Sequence, residues 1–333
     1  MHEINLSNYD LRTDLIVEQD IKNDEINRYL FKDIVVESIM LKKNNKLKKK
    51  EGKYITISYK DVTDSDNYYS VLEIFQKELK KVLEYLKIKD DDKCLVIGLG
   101  NGKIISDALG SKTLDNIIVT RHLYLLNDVD KKYRNVSILI PNVMGVTGID
   151  SFEIIKNIVQ ETKPDFIIVI DALCAADIRR VNKTIQITTS GITPGSGIGN
   201  IREELSKDTL GVNVVAIGVP TVVESTVIVS DTIKYLLKKI SYLKNNNNTI
   251  DKLKPIDKVD YLNNEYDLIN EEKKELLGYI GLLDNDELKR LVWEVLSPIE
   301  ANMIVTVKDI DFIIDNLSKL LSQGINNVLH HID

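Results

Sequence analysis

The stretch Leu95-Val-Ile-Gly98-Leu-Gly100-Asn-Gly102-Lys103-Ile-Ile-Ser-Asp107-Ala-Leu-Gly110 decides the architecture. It opens with the short apolar run of a buried strand, turns through closely spaced glycines, and sets Ser106-Asp107 at the start of a helix. A second apolar run, Phe166-Ile-Ile-Val-Ile170, is followed directly by Asp171, so two strands are each expected to end in a carboxylate. Similar β-branched runs occur at Ile117–Thr120, Val136–Ile140, Thr184–Thr188 and Val212–Gly218. Their hydrophobicity is continuous rather than alternating. They are therefore expected to be covered on both faces, in an α/β fold with a mostly parallel sheet flanked by helices. Ligands of such sheets bind beyond the carboxyl ends of the strands. Asp107, Arg121, His122, Met144, Asp171 and the turn Gly195-Ser-Gly197 all follow expected strands, and one rim is expected to gather them.

Upstream, residues 1–14 read as a polar arm, and Lys42–Lys50 as a lysine-rich solvated loop between two strands. Tyr54–Tyr59 alternates as a strand does. Leu72, Phe75, Leu79, Leu83 and Leu86 recur at helical spacing and lead into the opening strand. Downstream, Ile233, Leu236, Leu237 and Ile240 mark a helix, and the Asn-rich run from Asn245 to Ile250 reads as a linker. The rest is helical, closing on a stripe through Ile310, Ile313, Ile314, Leu317 and Leu321. The expected organisation is an arm over 1–14, an α/β catalytic domain over 15–243, and a linker with a helical C-terminal subdomain over 244–333, packed on that domain.

The chain has 333 residues, 43% of them hydrophobic, enough for a sizeable core. Its 44 basic against 51 acidic residues give a net charge of −7, which argues against direct nucleic-acid binding. Two cysteines supply no disulfide framework, the N-terminus lacks the layout of a signal peptide, and no apolar run approaches the roughly 20 residues that span a bilayer. The expectation is a soluble cytoplasmic protein with no membrane partner.

Several chemistries are poorly matched. The glycines at 98, 100 and 102 invite a dinucleotide reading, but Lys103 stands where the fingerprint needs a third glycine, and no acidic residue ends the following run. No cofactor is expected. A Ser or Cys triad needs a histidine base, and the four histidines are His2, His122, His330 and His331, with no Gly-x-Ser-x-Gly elbow. Cys174 reads as a buried thiol rather than a nucleophile. Paired helical histidines for zinc are missing, and no metal site is expected. Carboxylate chemistry remains: of two neighbouring carboxyl groups, one keeps its proton and the other activates water. Asp107 and Asp171 suit that pairing, although Asp107 also has the position of a helix N-cap.

At these residues the chain resembles the germination protease family of spore endopeptidases. The likeness runs through Arg12-Thr-Asp-Leu15, Gly98-Leu-Gly-Asn101, Asp107-Ala-Leu-Gly110, Val119-Thr-Arg-His-Leu123, Val143-Met-Gly145, Asp171-Ala-Leu173, Thr184-Ile-Gln-Ile187 and Ala216-Ile-Gly-Val-Pro-Thr-Val222. The resemblance implies an atypical aspartic-type endopeptidase that degrades small acid-soluble spore proteins in the spore core during germination. It also implies a zymogen, a homotetramer and a core like that of hydrogenase-maturation proteases, with Asp107 and Asp171 as the catalytic pair. Thr13–Glu18 looks like the family's cleavage pattern, so self-processing is expected between Asp14 and Leu15; the alternative is that Arg12–Glu18 is an edge strand or arm packed on the body. Arg121 and His122 are candidates for orienting the substrate, and Arg179, Arg180 or Lys103 for a pocket that receives its acidic residue. The competing readings are a metal-assisted maturation-type protease using the same carboxylates, and a non-catalytic α/β ligand-binding protein.

Overall fold

The computed structural model describes residues 14–18, 26–43, 45, 49–126, 129–130, 132–195, 203–245, 262, 266–330 and 332. The expected arm, apart from Asp14, lies outside these residues, as do most of the Asn-rich linker and Ser196 and Gly197. Strands β1 (Ile26–Phe31), β2 (Ile34–Leu41) and β3 (Gly52–Ser58) precede helix α1 (Ser65–Tyr85). Then follow β4 (Cys94–Gly98), α2 (Leu109–Leu114), α3 (Arg121–Leu125), β5 (Val136–Leu139), α4 (Met144–Thr147) and α5 (Ser151–Thr162). Next come β6 (Phe166–Ala175), β7 (Thr184–Thr188), α6 (Lys207–Leu210), β8 (Asn213–Glu224) and α7 (Ser225–Asn245). The chain closes with α8 (Asn270–Leu277), α9 (Asn285–Leu296), β9 (Ile304–Val305) and α10 (Ile310–His330).

Two compact units emerge. The larger takes its described residues from Arg12–Ala175, Arg179–Val222 and Thr306–Asp333, the smaller from Ala176–Ile178 and Val223–Val305. The larger unit holds the sheet, in the order β1-β2-β3-β7-β8-β6-β4-β5. The sheet is mixed rather than mostly parallel: β4 runs parallel to β5 and β6, whereas β1-β2, β2-β3, β3-β7 and β7-β8 are antiparallel. Both kinds of strand are covered on two faces, so continuous hydrophobicity does not tell them apart.

Alternation along each strand sorts the core. Ile168, Ile170, Ile185, Ile187, Val215 and Ile217 point to a face covered by α1, α2 and α10. Leu95, Ile97, Ile167 and Val169 point the other way, packing with Phe152, Ile155 and Val159 of α5. Helix α10 belongs to the sheet unit and not to a C-terminal subdomain. Its apolar stripe, Ile314, Leu317, Leu321 and Ile325, is fully buried in the first of these clusters, and a Cβ on Gly324 would lie 2.5 Å from the Phe75 ring, so α1 and α10 meet in close contact. The expected boundary near 243 therefore falls differently, because α10 needs the sheet to cover its stripe.

Ile117–Thr120 is not a strand. Its backbone is satisfied from elsewhere: Ile118 N–H donates to Asn326 Oδ1 at 3.0 Å, the Ile118 carbonyl meets His330 Nε2 at 3.0 Å, and Thr120 N–H donates to the Val136 carbonyl at 3.0 Å. In the smaller unit α7 packs on α9. There Lys289 Nζ donates to the Ala176 carbonyl at 3.0 Å, and the Ile178 N–H donates to Asp231 Oδ2 at 3.2 Å. Among the described residues no helix is long and apolar enough to cross a membrane.

Candidate active site

Strand β4 is wholly buried and pairs in parallel with β6, Gly98 opposite Ile170, after which Leu99 N–H donates to the Ile170 carbonyl at 2.9 Å. The chain then reverses through Gly100 at φ +93°, a conformation that costs residues with a Cβ. A one-turn 3-10 helix, Ile105–Asp107, brings Asp107 back over this turn. Asp107 Oδ2 accepts a 2.6 Å hydrogen bond from the Asn101 backbone N–H. Asp107 is therefore not the cap of α2, whose N-cap is Ala108 with no side-chain bond; its carboxylate belongs to the glycine turn.

Gly110 locks the helix start onto the sheet. A Cβ there would lie 2.4 Å from the Leu99 carbonyl oxygen and 2.8 Å from that of Ile170. The turn holding Asp107 thus sits where β4 passes β6, and its 3-10 helix packs on β6. A further tie comes from β8, where Thr221 Oγ1 donates to the Ser106 carbonyl at 2.6 Å.

Asp171 is the residue after Ile170. It is 6% exposed, with Oδ1 accepting the Ala172 N–H at 2.9 Å. Strand β6 does not end there but runs on to Ala175. By alternation Asp171 shares the face of Ile167, Val169 and Leu173. The structure therefore brings both expected carboxylates to the same crossing of β4 and β6, one on the turn above it and one in the strand. Exposed apolar side chains border this edge: Ile104 and Ile105 beside Asp107, and Met144, Val146 and Ile149 after β5.

Of the other expected site residues, Lys103 shares the turn of Asp107, whereas the rest fall elsewhere. Thr120 is bonded to Val136, the first residue of β5, which pairs with Cys94, the first of β4. Arg121 and His122 are the first two residues of α3, directly after Thr120, so they start from the amino ends of the parallel strands, opposite the edge that holds Asp107. The expectation of one rim fails for them because Ile117–Thr120, lacking a place in the sheet, returns the chain to the far edge. Arg179 is exposed. Arg180 lies 3.8 Å from Glu18, whose side chain is almost fully buried, so Arg180 contacts the chain's own segment. Lys103 is exposed on the turn after β4.

Sequence reasoning allowed Arg12–Glu18 to pack on the body but did not say where. Leu15 and Ile16 are buried to 1% or less, Ile16 against Ile39, Leu41 and Tyr54. Asp14 Oδ2 accepts the Cys174 backbone N–H at 2.9 Å, and the Asp14 carbonyl accepts from Gln186 Nε2 at 3.2 Å. The Ile16 N–H in turn donates to Gln186 Oε1 at 2.7 Å. The local pattern Thr-Ile-Gln-Ile in β7 puts Gln186 on the opposite face from Ile185 and Ile187, the only signal that foreshadows this. Among the described residues no group of three or more His, Cys, Asp or Glu side chains is placed to hold a metal ion.

A family profile for the germination proteases matches residues 5–332. The chain is 42% identical to the germination protease of Bacillus velezensis, over 99% of this chain and 96% of that protein. To the germination protease of Bacillus subtilis it is 41% identical, over 98% and 95%. It also aligns with the crystal structure of a NiFe hydrogenase maturation protease, HycI, from Thermococcus kodakarensis. There the identity is 19% and the TM-score 0.29, over 43% of this chain and 80% of that one, a score too low to define a fold. The sheet and the germination protease relatives together define a peptidase built on an α/β scaffold. More particularly, the chain belongs to the germination protease family.

Proposed function

We propose that the protein is an aspartic-type endopeptidase that opens the degradation of small acid-soluble spore proteins in the spore core. Asp107 and Asp171 are the reacting pair. One carboxylate takes a proton from water as the water oxygen adds to the peptide carbonyl carbon, and the other gives its proton to the carbonyl oxygen. The intermediate then collapses: the first carboxyl group, now protonated, gives its proton to the amide nitrogen, the C–N bond breaks and the amine leaves, while the second takes a proton from the diol as the carboxylic acid forms. The observation that carries this reading is the seating of the Asp107 turn on the Leu99–Ile170 bond, one residue before Asp171 in β6. The apolar edge beside Asp107 suits an extended substrate with large apolar residues.

In this proposal the chain is made as a zymogen, works as a homotetramer, and cuts itself between Asp14 and Leu15. The Asp14–Leu15 peptide is held by Gln186, and Leu15 is buried, so processing requires the segment to leave its seat first. The test is incubation of the purified protein with a small acid-soluble spore protein, reading fragments by mass spectrometry and the protein's own N-terminus by sequencing. Internal cuts after acidic residues and a new N-terminus at Leu15 are expected. An intact substrate incubated with folded protein overturns the endopeptidase reading. A persistent Met1, or a cut elsewhere, overturns the processing site.

A further inference from the structure

The seat of Asp14 lies on a cavity of about 360 Å³ in the larger unit, with Asp14, Leu173, Gln186, Ala216 and Gly218 among its lining. Its floor is part of the same sheet face as the candidate catalytic Asp171: Leu173 is two residues along β6, about 7 Å by the rise of a strand. Small residues at 216 and 218 leave room above the sheet. Leu173 fills the space over Gly218, where a Cβ would lie 2.4 Å from its Cδ1.

The polar groups around Asp14 form a fixed carboxylate receptor. The Cys174 N–H points at its carboxylate, and Gln186 clamps the backbone on both sides of the Asp14–Leu15 bond, donating to the Asp14 carbonyl and accepting from the Ile16 N–H. Gln186 is 6% exposed and stands on β7 in the middle of the sheet, so the clamp is rigid. The charged side chains lining the cavity are Lys49 and Lys50 against Asp14 and Glu204. Lys50 is held by Glu204 at 2.7 Å. Asp208 also bonds Lys50, at 3.4 Å, and when Asp14 leaves, the cavity lining loses one negative charge.

We propose that this cavity is the subsite for the acidic side chain that precedes the cut bond of a substrate, and that Asp14 occupies it as an internal stand-in. This rests on the endopeptidase reading. The ligand class is a peptide with Asp or Glu followed by a large apolar residue: the acid meets the Cys174 N–H and the lysine-rich wall, and Gln186 holds the peptide backbone. Charge-assisted bonds to a fixed backbone N–H discriminate a carboxylate from an amide of the same shape. Removal of residues 1–14 frees the cavity and takes one negative charge away from it.

The test uses the full chain carrying Asp14→Ala, Leu15→Ala and Ile16→Ala, which strips the segment of its anchoring side chains. Fluorescence anisotropy compares two labelled hexapeptides, Thr-Asp-Leu-Ile-Val-Glu and Thr-Asn-Leu-Ile-Val-Glu. The Asp peptide is expected to bind at least about tenfold more tightly, and Gln186→Glu added to the same chain should weaken both peptides by about tenfold, because it removes the amide donor to the backbone carbonyl that both share. The single variant Asp14→Ala, with thermal unfolding of every protein, serves if the triple substitution unfolds the chain. Equal affinity for the two peptides, no binding of either by a folded variant, or affinities left unchanged by Gln186→Glu overturns the subsite. These outcomes are independent of cleavage: a chain that discriminates the peptides yet leaves spore protein intact upholds the subsite and contradicts the endopeptidase reading.

Discussion

Gly100 stands so close to Asp107 that a Cβ at position 100 would lie 2.1 Å from the Asp107 carbonyl oxygen and 2.8 Å from its Oδ1. The glycine is the space into which the carboxylate folds. It also holds φ +93°, which side chains disfavour by about 1–2 kcal/mol. Gly100→Ala is therefore expected to destabilise the protein by roughly 2 kcal/mol or more, since the clash is with backbone that has nowhere to go. Displacing Asp107 should also abolish cleavage in the fraction that remains folded. Thermal unfolding and a cleavage assay on the same sample check both. An active, equally stable variant would show that the turn does not position Asp107.

Leu15 is fully buried although it lies at the start of the described chain. Leu-to-Ala changes at buried sites cost about 2–5 kcal/mol. The segment at 14–18 is anchored by a few side chains, so the loss should appear as local opening rather than global unfolding. In Leu15→Ala, hydrogen exchange at the Ile16 and Cys174 amides, which bond to Gln186 and Asp14, is expected to quicken by roughly thirtyfold or more. Amides of β4 and β6 should not change.

In the smaller unit, burial raises the pKa of Asp231, opposed by the Ile178 N–H bond, raised further by Asp177 and lowered by Lys289 and Lys234. A carboxyl group whose folded pKa lies above its unfolded value binds more protons when folded, so its contribution to stability is present below the unfolded pKa and is lost as pH rises through the folded one. Asp231→Asn keeps an acceptor for Ile178 and removes the buried charge. It is expected to stabilise the protein at pH 7 and to flatten the fall in stability as pH rises from the ordinary carboxylate range. Urea unfolding across pH checks this; an unchanged slope contradicts it.

The local chemistry of the sequence explains which parts of this fold are legible. Cys94–Gly98, Thr184–Thr188 and the α1 stripe are recovered within a few residues, because their burial follows from short-range pattern. Ile117–Thr120 has the composition of a strand but takes its hydrogen bonds from Asn326, His330 and Val136, partners that no local pattern announces. The same holds for α10, whose stripe is clear while its home against α1 depends on Gly324 admitting Phe75. Asp107 and Asp171 are readable as carboxylates that follow apolar runs, although β6 runs on past Asp171 to Ala175. The seat of Asp14 is not, since Cys174 and Gln186 lie 160 and 172 residues away.

The pairing of Asp107 with Asp171 is the centre of the functional account, and cleavage of a small acid-soluble spore protein by Asp107→Asn and Asp171→Asn tests it most directly. Asn preserves the shape and the hydrogen-bond acceptors that Asn101 and Ala172 use, so both variants should fold with unchanged thermal transitions. Each is expected to lose at least about a thousandfold in rate, the order of magnitude of removing one member of an acid–base pair. Cleavage near the unsubstituted rate by either folded variant would contradict the account.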